Sequence, residues 1–494
     1  MADITSKLTN LSPQRRAQLL AKLGKGAAGR PAALAPRGTA DAPASFVQEQ
    51  MWLLNQVAPD EPAYNVPFAL ELTGPLDVGA VRSAVGELLR RHEVLRARLV
   101  LKDGQLVQEY GDRDASVPLE DVAEDEAERR IFALARATFT LATGPLLTTT
   151  LIRTAPERHV LMCVAHHAVI DGWSYGVLIE EFVAAYRAAV AGTAVSLPQP
   201  RLQFGDFAAW QRRKLSADRL ESLLRHWERR LTGRARCEIP PDRPRPKAQT
   251  HHGAKVRFAI PDELMAGLRA LHGSGGTLFT VLLGVFEVVV AQFARTDHPV
   301  VGTPIAGRVS PELEVLVGPF SNTVPLRVDL SGDPTFREVL ARVGDVLLDA
   351  SEHQEVPFGK LVDRLQSDRD ASRNPLFQVL MNMGNLPQGV RTMEIVPGLA
   401  VRPRGVPNDT ARVDLELTFE PDGDRLGGRL EYNTDLFDES TVEEVLRQLR
   451  TVIAEVVANP DVRLSAIPLP TRITAAARSS RTARRTSAWL RRSA

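Results

Sequence analysis

Cysteine is almost absent from this chain. The two present, Cys163 and Cys237, are too few for a disulfide framework or a thiolate metal centre, which points to a reducing, cytoplasmic compartment. No secretory leader is expected either, since Met1 to Lys7 contains no apolar run of signal-peptide type. The longest apolar stretch, Thr277 to Phe293, is interrupted by Glu287 and is short for a bilayer. It reads as a buried core helix, and no membrane partner is expected. Metal-ligand spacing is also missing. Adjacent side chains of His166 and His167 point apart on an extended segment, and no third ligand follows at zinc spacing. Arg96 stands where a zinc-protease helix starting at His92-Glu93 would need its second histidine. No metal is expected.

What is present is ordinary globular material, 494 residues with 44% hydrophobic and 24% charged, enough for two packed lobes. The formal net charge of +1 hides an uneven distribution. Residues 1–40 hold seven Lys and Arg against one acid, and residues 471–494 hold seven Arg against none. The body between them carries 47 basic against 59 acidic groups. Basic ends can bind nucleic acid, anionic membrane or an acidic protein. The composition of the tail reads as solvated disorder, and no nucleic-acid partner is expected.

Along the chain, Ser12 caps a short helix and a Gly/Ala/Pro-rich linker follows, so residues 1–43 form a basic helix and linker. A first lobe is expected over 44–235, a second over 236–468, and a basic, disordered tail over 469–494. Alternation at Val66, Phe68, Leu70 and Leu72 predicts a strand, and Leu76 to Leu95 an amphipathic helix. A charged helix spans Ser216 to Leu231, before the Pro-rich connection Pro240 to Pro246. The second lobe repeats the style. Strands are predicted at Val256–Ile260, Val300–Pro304, Val324–Leu330 and Val413–Phe419, with helices at Asp262–Leu271 and Thr277–Phe293. The fold class is therefore α/β, mixed α+β, with helices packed on sheets in two lobes.

The richest segment is His166-His167-Ala168-Val169-Ile170-Asp171-Gly172. An apolar strand, His159 to Ala165, leads into it, and Ser174 opens a helical pattern with Leu178, Phe182 and Tyr186 at spacing four. The histidines thus sit on a strand-to-helix loop, a place where scaffolds present reactive side chains. His251-His252 is an internal control: Val256 and Arg257 replace the aspartate and glycine, so that pair reads as structural or solvent-exposed.

Seven segments, in order, carry a resemblance. These are Ser45-Phe46-Val47-Gln48-Glu49-Gln50-Met51-Trp52, Arg91-His92-Glu93-Val94-Leu95-Arg96, the histidine motif continued through Trp173-Ser174, and Phe204-Gly205-Asp206-Phe207-Ala208-Ala209-Trp210. Val317-Gly318-Pro319-Phe320-Ser321-Asn322 to Arg327, His353-Gln354-Glu355-Val356-Pro357-Phe358 and Arg369 to Gln378 complete the set. The chain resembles a condensation domain of nonribosomal peptide synthetases, of the HHxxxDG acyltransferase superfamily, from about Ser45 to the end of the folded part. Val47, Gln50, Ile170 and Ser321 depart from the usual pattern and bear on substrate class more than on chemistry.

The resemblance implies two lobes similar to chloramphenicol acetyltransferase, arranged as a V with a central substrate tunnel. It implies His167 as the catalytic histidine and Asp171 as a structural carboxylate paired with Arg96. Gly172 supplies a backbone N–H to the oxyanion, Asn322 a side-chain donor, and His166 is structural. Trp173, Ser174 and Arg327 are the expected substrate or carrier contacts. No cofactor is permanently bound: a partner carrier protein supplies the phosphopantetheine arm in trans. With neither an adenylation module nor a carrier-type serine in the sequence (Ser274 lacks that context), a freestanding monomer is expected. It would transfer an aminoacyl or acyl group to a small-molecule or carrier-bound amine or hydroxyl in natural-product biosynthesis. Two other readings remain: an acyl-CoA or polyketide-carrier O-acyltransferase, and a noncatalytic module that recruits carriers.

Overall fold

The computed structural model describes residues 34–111, 116–233, 237–271, 276–366, 370–384 and 392–470. The helix expected after Ser12, the tail from Thr471, Ser274 and Arg369 lie outside them. The first half runs β1 (Ala42–Pro43), α1 (Phe46–Val57), β2 (Asn65–Thr73), α2 (Val78–Arg91), β3 (Ala97–Lys102), β4 (Gln105–Tyr110), β5 (Leu119–Asp121) and α3 (Ala127–Ala135). It continues through β6 (Leu147–Ala155), β7 (Arg158–His166), α4 (Ser174–Ala191), α5 (Phe204–Lys214) and α6 (Ala217–Leu231). The second half comprises β8 (Gly253–Ala259), α7 (Asp262–Leu271), α8 (Leu278–Ala294), β9 (Val300–Ile305), α9 (Pro311–Glu314), β10 (Asn322–Arg327), α10 (Phe336–Glu352) and α11 (Phe358–Leu365). It ends with β11 (Val379–Met383), β12 (Met393–Val396), β13 (Leu399–Arg404), β14 (Leu415–Asp422), β15 (Arg425–Asn433) and α12 (Glu439–Ala458).

These elements build two six-stranded sheets, ordered β12-β13-β2-β7-β6-β5 and β10-β9-β11-β14-β15-β8, and a small sheet β1-β4-β3. The fold is mixed α+β, and each large sheet has its own hydrophobic core. Strand β7 is apolar on both faces and buried along almost its whole length, which explains why its sequence runs continuously hydrophobic instead of alternating. It is thereby a rigid support for the loop that follows.

The division of the chain near residue 236 is not clean. Hairpin β12–β13 belongs to the first sheet, where Ala400 lies opposite Thr73 and Arg404 opposite Ala69. Leu399 and Val401 are fully buried there. The hairpin covers an edge of β2 that would otherwise offer unpaired backbone groups. Leu313, Leu316, Val317 and Phe320 also pack in the first core. Helix α2 stops at Arg91 instead of Leu95, because Arg91 and His92 turn inward to Glu181, with His92 Nε2 at 2.7 Å. Strand β10 ends at Arg327 and not at Leu330, whose N–H goes to the Asp297 carbonyl at 2.8 Å.

Among the described residues no helix is long and apolar enough to cross a membrane. The apolar stretch forms α8, buried continuously from Val281 to Phe293. Glu287 lies within it at 0% exposure, and neither carboxylate oxygen has a hydrogen-bond partner. Burial pushes its carboxyl well above the usual range. Burial likewise pushes the thiols of Cys163 and Cys237 up to about 12, which makes them poor nucleophiles.

Replacing Glu287 by Met should stabilise the protein by about 1–3 kcal/mol, because an unsatisfied buried polar group is removed. The pH dependence has a definite sign. The unfolded carboxyl ionises near pH ~4.3 while the folded one stays neutral, so wild-type stability falls relative to Glu287→Met as pH rises above that value. Urea denaturation of both proteins between pH 4 and 8 measures it, and equal stabilities throughout would count against the argument.

Candidate active site

Strand β7 ends in His166, the turn 167–173 follows, and α4 begins at Ser174. The turn is held from several sides. Gln48, whose side chain completes the capping box of α1 with Ser45, also donates its Nε2 to the Ala168 carbonyl at 3.1 Å. The His167 N–H donates to the Tyr64 carbonyl at 2.9 Å. His166 is 3% exposed, and its Nδ1 accepts from the Ala168 N–H at 3.0 Å. Burial, and then the neighbouring His167, push the His166 pKa down to about 3, so this ring is a neutral part of the turn.

His167 differs from its neighbour. It is only partly buried, and its Nδ1 has no well-formed hydrogen bond. Burial lowers its pKa, and the positive charge of Arg412 adds to that effect, outweighing the backbone of the turn and Asp171. The imidazole is therefore neutral at physiological pH and available to take a proton.

Asp171 is 0% exposed and its carboxylate accepts six hydrogen bonds. Oδ1 takes the Ser174 N–H at 3.0 Å, the Ser174 hydroxyl at 2.7 Å and Arg308 Nη2 at 3.1 Å. Oδ2 takes Arg308 Nη1 at 2.7 Å, the Phe320 N–H at 3.0 Å and the Ser321 hydroxyl at 3.2 Å. Burial alone would raise the Asp171 pKa, but Arg308 and the hydrogen bonds outweigh it and hold the group below its ordinary value. The cationic partner is thus Arg308, not Arg96. Arg96 donates to the carbonyls of Leu89 at 2.8 Å and Gly111 at 2.7 Å, closing the end of α2 against β4.

Arg308 was hidden in the sequence because it lies 137 residues from Asp171. The one local sign is Gly307 before it. Gly307 has φ +65°, and a Cβ there would lie 2.0 Å from the Phe320 oxygen, so only glycine lets the chain turn as it leaves β9. Every Arg308 nitrogen is engaged: Nε with the Leu313 carbonyl, and the two Nη with Asp171, Ser174 and the carbonyls of Ala306 and Leu316. Its guanidinium lies 4.3 Å from the centre of the Phe320 ring.

The remaining expected residues fall into place differently. Gly172 is exposed, its φ is not left-handed, and a Cβ would meet no protein atom within 4 Å. The space in front of it is open. The Ser174 hydroxyl bonds Asp171 and accepts the Gly318 N–H at 3.1 Å, and the Trp173 indole donates to the Glu314 carbonyl at 2.9 Å. Both therefore tie the turn to the segment between β9 and β10. Asn322 is not a free donor: its Nδ2 goes to the carbonyls of Gln354 at 3.0 Å and Val356 at 2.6 Å, and its Oδ1 accepts from the Phe358 N–H. With both amide hydrogens committed, it fixes β10 to the start of α11 and offers nothing to an oxyanion. Arg327 lies on the carbonyls of Arg230 and Thr232 at the end of α6, apart from the histidine turn.

Among the described residues one grouping has metal-ligand chemistry, His226 of α6 with Asp349 and His353 at the end of α10. The two rings stack with centroids 3.5 Å apart and planes within 4°, so their in-plane lone pairs run side by side rather than converging, and His353 Nδ1 is bonded to the Asp349 carbonyl. The trio joins α6 to α10.

A histidine turn locked by a buried aspartate at the junction of two mixed sheets defines the class as HHxxxDG. Within it, the chain belongs to the condensation domain family, whose model, described as Condensation domain, matches residues 39–477. It is 38% identical over 439 residues to a linear gramicidin synthase protein of Brevibacillus parabrevis, covering 86% of this chain and 6% of the relative. It is 36% identical over 486 residues to phosphinothricin tripeptide synthetase PhsC of Streptomyces viridochromogenes, covering 96% and 44%. The chain thus spans less than half of these multidomain relatives. Among solved structures, it is similar to the X-domain in complex with OxyB from teicoplanin biosynthesis (TM-score 0.81, 28% identity, 90% of this chain and 99% of that one). It is also similar to SgcC5 of Streptomyces globisporus (TM-score 0.70, 27% identity, 85% and 100%). The condensation family is acyltransferase-like and amide-forming, and its members work with carrier domains in nonribosomal peptide synthesis.

Breaking the buried ion pair from one side should be costly. Arg308→Met leaves Asp171 an uncompensated buried charge, and a loss of about 3–5 kcal/mol is expected in chemical denaturation. The double change Asp171→Asn with Arg308→Met should recover part of it; a double variant as unstable as the sum of the singles would contradict the pairing. Gly172→Ala should melt as wild type does, since its Cβ meets no protein atom, and calorimetry tests this.

Proposed function

We propose that the chain is an acyltransferase that joins a carrier-bound donor, held as a phosphopantetheine thioester, to an amine or hydroxyl acceptor. The observation that carries this reading is geometric: the His167 Nδ1 makes no well-formed hydrogen bond, Gly172 is exposed with open space at its Cβ position, and buried Asp171 locks the turn that holds both. The nucleophile attacks the thioester carbonyl, His167 takes its proton, and the Gly172 N–H faces the developing oxyanion. Collapse breaks the C–S bond and forms the amide or ester. The proton passes to the leaving thiolate, which departs as the thiol of the carrier arm. The phosphopantetheine is supplied by the carrier and is not a resident cofactor.

Ester formation is the second outcome of the same chemistry. SgcC5, similar in structure, was solved with an aryl ethanediol, which favours a hydroxyl acceptor. The recruiting reading draws on the X-domain solved in complex with OxyB. Against it stands the retention here of His167, Asp171 and Gly172 together.

Intact-mass spectrometry of a carrier loaded with aminoacyl or acyl thioesters, incubated with a panel of amines and alcohols, tests the proposal. His167→Ala should lower the rate by roughly 10² to 10⁴-fold with its melting temperature kept. Loss below tenfold would reduce His167 to a positioning role, and carrier binding without unloading would favour the recruiting module. Because the His167 pKa lies below the ordinary value of ~6.5, kcat/KM should hold at that pH and fall only as pH drops through the lowered value. A half-loss at or above pH ~6.5 would contradict the neutral-base assignment.

A further inference from the structure

Two acidic residues of the seven segments, Glu93 and Asp206, take no part in the chemistry above, and both converge on Arg37 in the stretch before β1. The Arg37 fork meets Glu93 in two parallel bonds, Nη1 to Oε1 at 2.7 Å and Nη2 to Oε2 at 2.8 Å. Asp206 is gripped twice, its Oδ1 accepting the Arg37 N–H at 2.9 Å and Nη1 at 3.1 Å. The guanidinium also lies 5.1 Å from the centre of the Tyr110 ring on β4. The side chains of Glu93 and Asp206 are 15% and 5% exposed, so one cation holds two largely buried carboxylates side by side.

What Arg37 grips is the first turn of α5. The other oxygen of Asp206, Oδ2, accepts the Gln203 N–H at 2.8 Å. The Gln203 side chain joins the same cluster, accepting from the Glu93 N–H at 3.2 Å and donating to the Arg91 carbonyl at 2.9 Å. From that turn the buried rings of Phe204 and Phe207 face Phe320, with centroids 4.9 Å and 4.7 Å away. Gly318 is packed against Phe204 so closely that a Cβ there would come within 2.2 Å of the ring. Phe320 donates its N–H to Asp171 and carries the Arg308 guanidinium on its ring, and Gly318 donates to the Ser174 hydroxyl. Close-packed side chains leave no slack to absorb a shift of the α5 turn. Each step from Arg37 to the Asp171 carboxylate is a direct contact.

We infer that Arg37 is a positioning residue: it holds the first turn of α5 against Phe320 and so keeps the buried pair of Asp171 and Arg308, and with it the histidine turn, in place. Its bearing on turnover rests on the acyltransferase reading. Without the guanidinium, Glu93 and Asp206 repel each other, and the α5 turn that carries Asp206 moves away from Glu93. Phe204 and Phe207 move with it, and the Phe320 N–H loosens from Asp171. His167 is then less often in the geometry that takes a proton, which lowers kcat and leaves acceptor binding alone.

Two measurements compare Arg37→Met with wild type at a temperature where both are fully folded. Hydrogen exchange, read by mass spectrometry in peptides covering 171–176 and 317–322, needs no substrate, and it should quicken about tenfold in both peptides while β14 is unchanged. In the carrier-unloading assay kcat should fall about tenfold or more, with the acceptor KM within about twofold of wild type. Arg37→Lys, which keeps the charge and loses the fork, should lie between on both readouts. If Arg37→Met does not fold, Arg37→Met paired with Glu93→Gln replaces it: repulsion is gone but so is the grip on Asp206, and the same changes are expected at smaller size. Exchange as slow as in wild type at 171–176 and 317–322 overturns the inference, and so does an unchanged kcat or a loss confined to KM, which are the results a residue serving stability alone would give. Transfer by no protein, wild type included, overturns the acyltransferase reading, and exchange then still decides whether Arg37 holds the Asp171 pair.

Discussion

Asp171 is where the two halves of this protein meet. Its carboxylate is completely buried and would be costly there alone. It is stable because a guanidinium from the segment after β9, a hydroxyl and N–H at the start of α4, and the backbone before β10 all converge on it. Residues 306–321 thereby hold the histidine turn from the side of the second sheet, and are themselves fixed there by Asp171, Ser174 and Trp173. Orientation of His167 is thus a tertiary property. The carboxylate's six hydrogen bonds all come from this architecture, and none comes from the His167 ring.

The electrostatics of the junction follow from the same arrangement. Arg308 neutralises Asp171 at close range, so the negative charge does little to favour a protonated His167. Arg412, on the other side, opposes protonation. A neutral imidazole next to the open space at Gly172 is what proton transfer from a nucleophile requires.

Much of the fold was legible because it rests on local pattern. Period-two and helical spacing located β2, α4, α6, α7 and α8 to within a few residues, and the apolar run with Glu287 was read as core. The histidine turn was legible because its residues are contiguous. Arg308 was not, since a single arginine far along the chain has no periodicity to betray its partner. Asn322 was assigned a donor role by analogy, but local carbonyls claim its amide. The crossing of β12–β13 into the first sheet was invisible for a related reason: alternation tells which side of a strand is buried, not which strand lies beside it.

That crossing has a consequence for how the molecule is made. Synthesis on the ribosome is vectorial, and β2 and β7 leave the exit tunnel long before β13. At about 5–20 residues per second, the 238 positions between His166 and Arg404 take roughly 12–50 seconds to add. Throughout that interval the nascent first sheet has an open flank on β2, and until Arg308 is added the histidine turn has no guanidinium behind it. A chain of this topology therefore emerges with an unpaired strand edge on β2 that stays open to other chains until the hairpin docks on it.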